Sequence, residues 1–125
     1  MGMKPDQTAG PSMRGHVGQV LKSIEHPGGR VSLHFRRGGL EVMVVEVAGG
    51  KSLVESTLWG RSSWHLVLEG QAAFHLGDRR WELLPEESLS VDGSTPYTIV
   101  NPSPERVRLL SIVSTGDSGE REEPW

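Results

Sequence analysis

The chain has 125 residues, 16 of them Gly, 8 Pro and none Cys, with a formal net charge of −3. That glycine content, nearly twice the usual ~7%, excludes a bundle of long helices, because each interior Gly costs a helix about 1 kcal/mol. The absence of Cys excludes disulfides, thiolate zinc sites and cysteine nucleophiles, and a slightly acidic chain with no basic stripe argues against a nucleic-acid partner.

The length suits one domain. Residues 1–17 are small and polar, with no apolar stretch of the kind that heads a secretory signal. That segment and the acidic residues 114–125 cannot bury enough apolar surface to offset their ordering entropy. Both are expected to be disordered tails around a domain spanning residues 18–113. The longest apolar run, Val42–Val45, is far too short to cross a bilayer. No membrane partner and a cytoplasmic location are the expectation.

In chain order, Gly18–Glu25 reads as a brief helix or as a first edge strand. From there Gly and Pro recur every few residues, at Gly28-Gly29, Gly38-Gly39, Gly49-Gly50, Gly60, Gly70, Gly77, Pro85, Gly93 and Pro102. Short β-rich runs lie between them: Arg30–Phe35, Leu40–Val47, Leu53–Leu58, Trp64–Leu68, Ala72–Leu76, Trp81–Leu84, Ser88–Val91, Tyr97–Val100 and Val107–Val113. Short strands with turn signals at this spacing predict an all-β sandwich or barrel. In Trp64–Leu68, His65 falls on the opposite face from Trp64, Leu66 and Leu68. The run Val107–Val113 lacks clear alternation and reads as a strand buried on both faces. Val31–Phe35 is the expected edge or exchanged element of a homodimer.

The segments Leu66–Gly70, Trp81–Pro85, Ser88–Asp92, Thr95–Tyr97 and Asn101-Pro102 resemble, in order and register, the motifs of a single-domain cupin of the conserved-barrel type. Gly50 falls where that family has a Pro-Gly turn, so the likeness covers residues 40–113. The chain is most similar to the ligand-sensing cupin domains of helix-turn-helix regulators, without the helix-turn-helix. The resemblance implies a double-stranded β-helix, or jelly-roll barrel, with a site in its mouth.

The departures from the family pattern carry the functional reading. The family's metal-ligand positions fall on Thr57, Trp59, Ser63 and Tyr97. None supplies a neutral ring nitrogen or a carboxylate, and a divalent ion needs several such groups converging. No metal and no cofactor are therefore expected. Two of the family's turn glycines are Glu86 and Ser94 here, so those turns are expected to take other conformations.

Three functions remain open. The first is a metal-free cupin binding a small organic ligand, as a sensor or accessory protein, through Thr57, Trp59, Ser63, His65 and Tyr97. The second is a metal-independent isomerase- or epimerase-like enzyme with His65 or Tyr97 moving protons. The third is an interaction module whose barrel is filled by side chains such as Trp59. If Gly70 centres a hairpin, His65 and His75 pair across it, about 5 Å apart, as a displaced two-His metal site or a general acid–base pair; the alternative is one hydrogen-bonded core His and one surface His. Glu41 and Glu46 have opposite parity, and an inward Glu is a candidate base, while exposure near a strand end is the commoner outcome.

Overall fold

Alternating residues on each strand fill the space between two antiparallel sheets. The computed structural model describes residues 19–54, 61–93 and 95–114. Thr57, Trp59, Ser94 and residues 1–17 and 115–125 of the expected tails lie outside the described residues, whereas Ser114, expected to open the acidic tail, ends a strand. There are ten strands: β1 (Lys22–His26), β2 (Gly29–Arg37), β3 (Leu40–Val47), β4 (Ser52–Val54), β5 (Ser63–Glu69), β6 (Ala72–Leu76), β7 (Arg79–Leu83), β8 (Ser88–Val91), β9 (Thr98–Val100) and β10 (Val107–Ser114). The described residues contain no helix. Where Gly18–Glu25 offered a helix or an edge strand, the strand forms, over Lys22–His26.

The larger sheet has the order β1-β2-β3-β10-β5-β8, and the smaller β4-β9-β6-β7. This is the jelly-roll barrel expected from the resemblance. Leu33, Met43, Val45, Val67, Leu109 and Val113 project inward from the larger sheet, and Leu53, Phe74, Leu83 and Ile99 from the smaller. Burial of a side chain such as Phe74, which is inaccessible to solvent, contributes about 2–3 kcal/mol.

Turns fix the register. Gly38 and Gly39 have φ of +55° and +90°, values suited to the two-residue turn that matches the twist of β2 and β3. Gly70, at φ +87°, does not close a hairpin. It carries the chain from β5 in one sheet to β6 in the other. A Cβ there would lie 2.9 Å from the Arg106 carbonyl oxygen, so only Gly allows this corner.

Three expectations are corrected. Val31–Phe35 is not an edge, because β2 pairs with β1 on one side and β3 on the other; the edge is β1. Strand β10 does alternate, with Val107, Leu109, Ser111 and Val113 buried and Arg108, Leu110 and Ile112 half-buried. Its central place in the sheet had blurred the pattern through apolar residues on both faces. Finally, Glu86 keeps the conformation of the glycine it replaces, at φ +74°. Its N–H bonds the Val67 carbonyl at 2.8 Å, which holds the turn in place.

Candidate functional site

The interior polar groups begin with a bulge. Leu33 pairs with Met43, but Phe35 pairs with Val42, leaving His34 as the extra residue in β2. Parity therefore flips, and Arg36 rather than Phe35 or Arg37 comes to face the inward Glu41. Arg36 Nε donates to Glu41 Oε2 at 3.1 Å. Glu41 Oε1 accepts from Arg61 Nη1, also at 3.1 Å. Both the Glu41 and Arg61 side chains are buried, at 0% and 3% exposure. Gly93 packs bare backbone against Arg61, where a Cβ would approach within 2.9 Å. One buried carboxylate thus sits between two guanidiniums.

One pair further along the sheet lies His65. Register places it opposite Ser111, while Ser63 sits two residues back on the same face. The imidazole Nδ1 is 2.7 Å from the Ser111 hydroxyl and Nε2 is 2.9 Å from that of Ser63. A neutral ring has one N–H and one lone pair, so it donates to one serine and accepts from the other. Burial lowers its pKa to about 3, because nothing in this apolar setting repays the desolvation of an imidazolium. Phe74 and Tyr97 close over the ring, with centroids 4.9 and 5.3 Å from that of His65.

Three of the five residues expected to form a site are thus together: Ser63, His65 and Tyr97. The His65–His75 pair does not form. β5 and β6 belong to different sheets, and His75 pairs with Arg80 and Thr98 instead. Its Nε2 accepts from Arg80 Nη1 at 3.0 Å on the outer surface. Glu41 is not exposed near a strand end, because the two arginines compensate its burial; Glu46 points outward, beside Arg108 at 3.4 Å.

Sequence reasoning did not single out Ser111, Phe74 or Arg61. Ser111 had a signal, as the one hydroxyl in the run Val107–Val113. Arg61 had none, since its place follows from the contact with Gly93.

Among the described residues no three His, Asp or Glu side chains converge. Both nitrogens of His65 are engaged by serines, and Glu41 is engaged by arginines.

Residues 43–113 match Cupin_2, described as a cupin domain. Among solved structures, the chain is similar to the cupin domain of Schizosaccharomyces pombe Cnp3, at 19% identity and TM-score 0.64, over 70% of this chain and 65% of that one. It is similar to a cupin superfamily protein from Desulfitobacterium hafniense, at 18% identity and TM-score 0.61, over 79% and 83%. It is also similar to the Cupin_2 domain of an XRE family transcriptional regulator from Enterobacter cloacae, at 16% identity and TM-score 0.63, over 70% and 96%. At these identities the likeness is one of fold. The chain spans just under two thirds of the Cnp3 chain. No curated protein matches it.

Proposed function

From the chain's membership of the Cupin_2 family, we propose that it is a metal-independent cupin that binds a small organic molecule at the barrel mouth, as a sensor or accessory binding protein. The observation that carries this is the state of the inward polar groups. His65 is held neutral between Ser63 and Ser111, and Glu41 is neutralised by Arg61 and Arg36. None is left to ligate an ion. Arg36, with its side chain 36% exposed, offers the mouth a guanidinium suited to an anionic or strongly polar group. The Cys-free chain supports a cytoplasmic location.

Metal analysis of the purified protein tests the first half of this reading. Less than about 0.1 equivalent of Fe, Mn, Ni or Zn is expected; a stoichiometric ion overturns it. Thermal-shift measurements with a panel of small carboxylic acids, sugar phosphates and polyols test the second half. A stabilised complex that is lost in Arg36→Ala is expected.

Two facts favour the filled barrel as the second reading. His65 and Phe74 are wholly excluded from solvent, and Tyr97 is only 2% exposed. The barrel is sealed at that level, so a ligand must sit above it, beside Arg36 and Glu41. If no compound in the panel shifts the melting temperature, the filled-barrel reading takes precedence. The enzymatic reading is the least supported, because a general base needs a free lone pair and a pKa nearer neutrality.

A further inference from the structure

One end of the larger sheet carries a groove on its outer face. On β3, β5, β8 and β10 the odd-numbered side chains point into the barrel and the even-numbered ones away from it. Trp64 on β5 pairs with Ile112 on β10 and with Ser90 on β8. One row nearer the end of the sheet, Ser114 pairs with Leu40, and its N–H bonds the Ser62 carbonyl at 2.9 Å. Asp92 follows Val91, the partner of Ser63, and so falls beside Ser62. These two rows line an open groove of about 570 Å³, within the range of roughly 300–1,000 Å³ of small-molecule sites.

The lining is of two kinds. Trp64, Ile112 and Leu40 are apolar, and Leu40 is 45% exposed. Ser62, Ser90, Ser114 and Asp92, all exposed, border Trp64 towards β8 and towards the end of the sheet. Among the described residues the lining holds no Lys, Arg or His, so an anion would meet only the Asp92 carboxylate. A wholly apolar ligand would desolvate four polar groups without pairing them. A pyranose ring has the same two-part chemistry as the groove. One of its faces presents C–H groups polarised by neighbouring oxygens, and these pack on the electron-rich face of an indole. Its rim presents hydroxyls, each both donor and acceptor. A carboxylate accepts from two adjacent hydroxyls at once, and such charge-assisted bonds are the stronger ones.

We propose that this groove is a carbohydrate-binding site for a neutral sugar. A pyranose ring stacks on Trp64, and its hydroxyls bond Asp92, Ser90 and Ser62. The site is distinct from the barrel mouth, because Trp64 and these polar side chains lie on the opposite side of the sheet from His65 and Glu41. An open groove contacts a sugar from one side only, which suits a unit within a chain better than an enclosed monosaccharide.

The test titrates the full chain with cellotriose, maltotriose and laminaritriose, and separately with choline. The chain has four Trp, so nitrogen-15 NMR spectra resolve four indole N–H signals, and that of Trp64 is the one lost in Trp64→Phe. This signal is expected to shift saturably with at least one trisaccharide, with a Kd on the order of 1 mM. Trp64→Ala is expected to weaken that binding by about 10-fold or more. Asp92→Asn, at an exposed position, serves if Trp64→Ala does not fold, and is expected to weaken binding by about 10-fold. No saturable shift with any of the sugars, or unchanged binding in a folded variant, overturns the proposal. A stronger response to choline also overturns it, by making the groove a cation site. So does a native mass of twice 13.7 kDa that falls in Trp64→Ala with no response to sugar, because a second copy of the chain then covers the groove.

Discussion

His65 and Ser111 face each other across β5 and β10, with the imidazole Nδ1 2.7 Å from the serine hydroxyl. The second nitrogen is closed by Ser63, so the ring is a buried neutral crosslink between two central strands. Its pKa is lowered from 6.5 to about 3 by desolvation. Above pH 6.5 neither the native nor the unfolded chain protonates this ring, and it adds no pH dependence. Between pH 6.5 and 3 the unfolded chain takes up a proton that the native one refuses, so stability falls with falling pH. The slope approaches about 1.4 kcal/mol per pH unit. Urea denaturation from pH 8 to 4 should show this slope in the native sequence and lose it in His65→Gln. Every other histidine is present in both proteins, so parallel profiles would show that His65 is not a buried neutral group.

Glu41 lies between Arg36 and Arg61, and the two arginines are not equivalent. Arg61 is as buried as the carboxylate, whereas Arg36 reaches solvent. Glu41→Gln removes the carboxylate that the buried Arg61 guanidinium meets at 3.1 Å and should cost about 3–5 kcal/mol. Arg36→Ala should cost under about 1 kcal/mol, in the range of solvated ion pairs. The double variant Glu41→Gln, Arg61→Met should recover part of the first loss, because neither member of this buried pair then carries a charge. Chemical denaturation of the four proteins gives the cycle; equal losses for Glu41→Gln and Arg36→Ala would mean that the cluster is solvated.

The strands were legible because Gly and Pro punctuate them: β3, β6 and β8 begin and end where the sequence placed them. Inward His65 was legible from parity with Ser63, since β5 is regular between them. What parity cannot carry is a bulge or a corner. His34 interrupts β2, and nothing local marks it, yet it decides that Arg36 meets Glu41. Gly70 looked like a hairpin turn beside His65 and His75, but the tight contact with Arg106 and Val107 makes it a corner between sheets. Both depend on partners distant in sequence.

Glu86 offers a test of backbone strain. Its φ of +74° costs an L-residue about 1–2 kcal/mol, part of which Gly would forfeit through its greater unfolded-state entropy. Glu86→Gly should therefore raise stability by about 1 kcal/mol, while Glu86→Ala, which keeps the Cβ, should not. The bonds from the Glu86 N–H to the Val67 carbonyl, from the Glu87 N–H to the Leu84 carbonyl and from the Leu84 N–H to Glu87 Oε1 do not use the Glu86 side chain and survive both changes. The urea midpoint should shift for Gly alone, with an unchanged slope.

Asn101 is inaccessible to solvent and ties three segments together. Its Nδ2 donates to the Val47 carbonyl at 3.0 Å and to that of Glu105 at 2.6 Å. Its Oδ1 accepts from the N–H and the hydroxyl of Ser103, both at 3.0 Å. One side chain thus joins the end of β3 to the loop that leads into β10. Asn101→Ala would strand the buried Val47 carbonyl, and should cost about 2–4 kcal/mol once the lost bonds and the cavity are added. Asn101→Asp keeps the acceptor but sets a carboxylate oxygen against two carbonyls, so it should be at least as damaging at pH 7 and partly recover at pH 4, where a protonated oxygen donates again. That recovery separates a hydrogen-bonding role from simple packing, which pH would not restore, and thermal unfolding at the two pH values, each compared with the native chain, reads it directly.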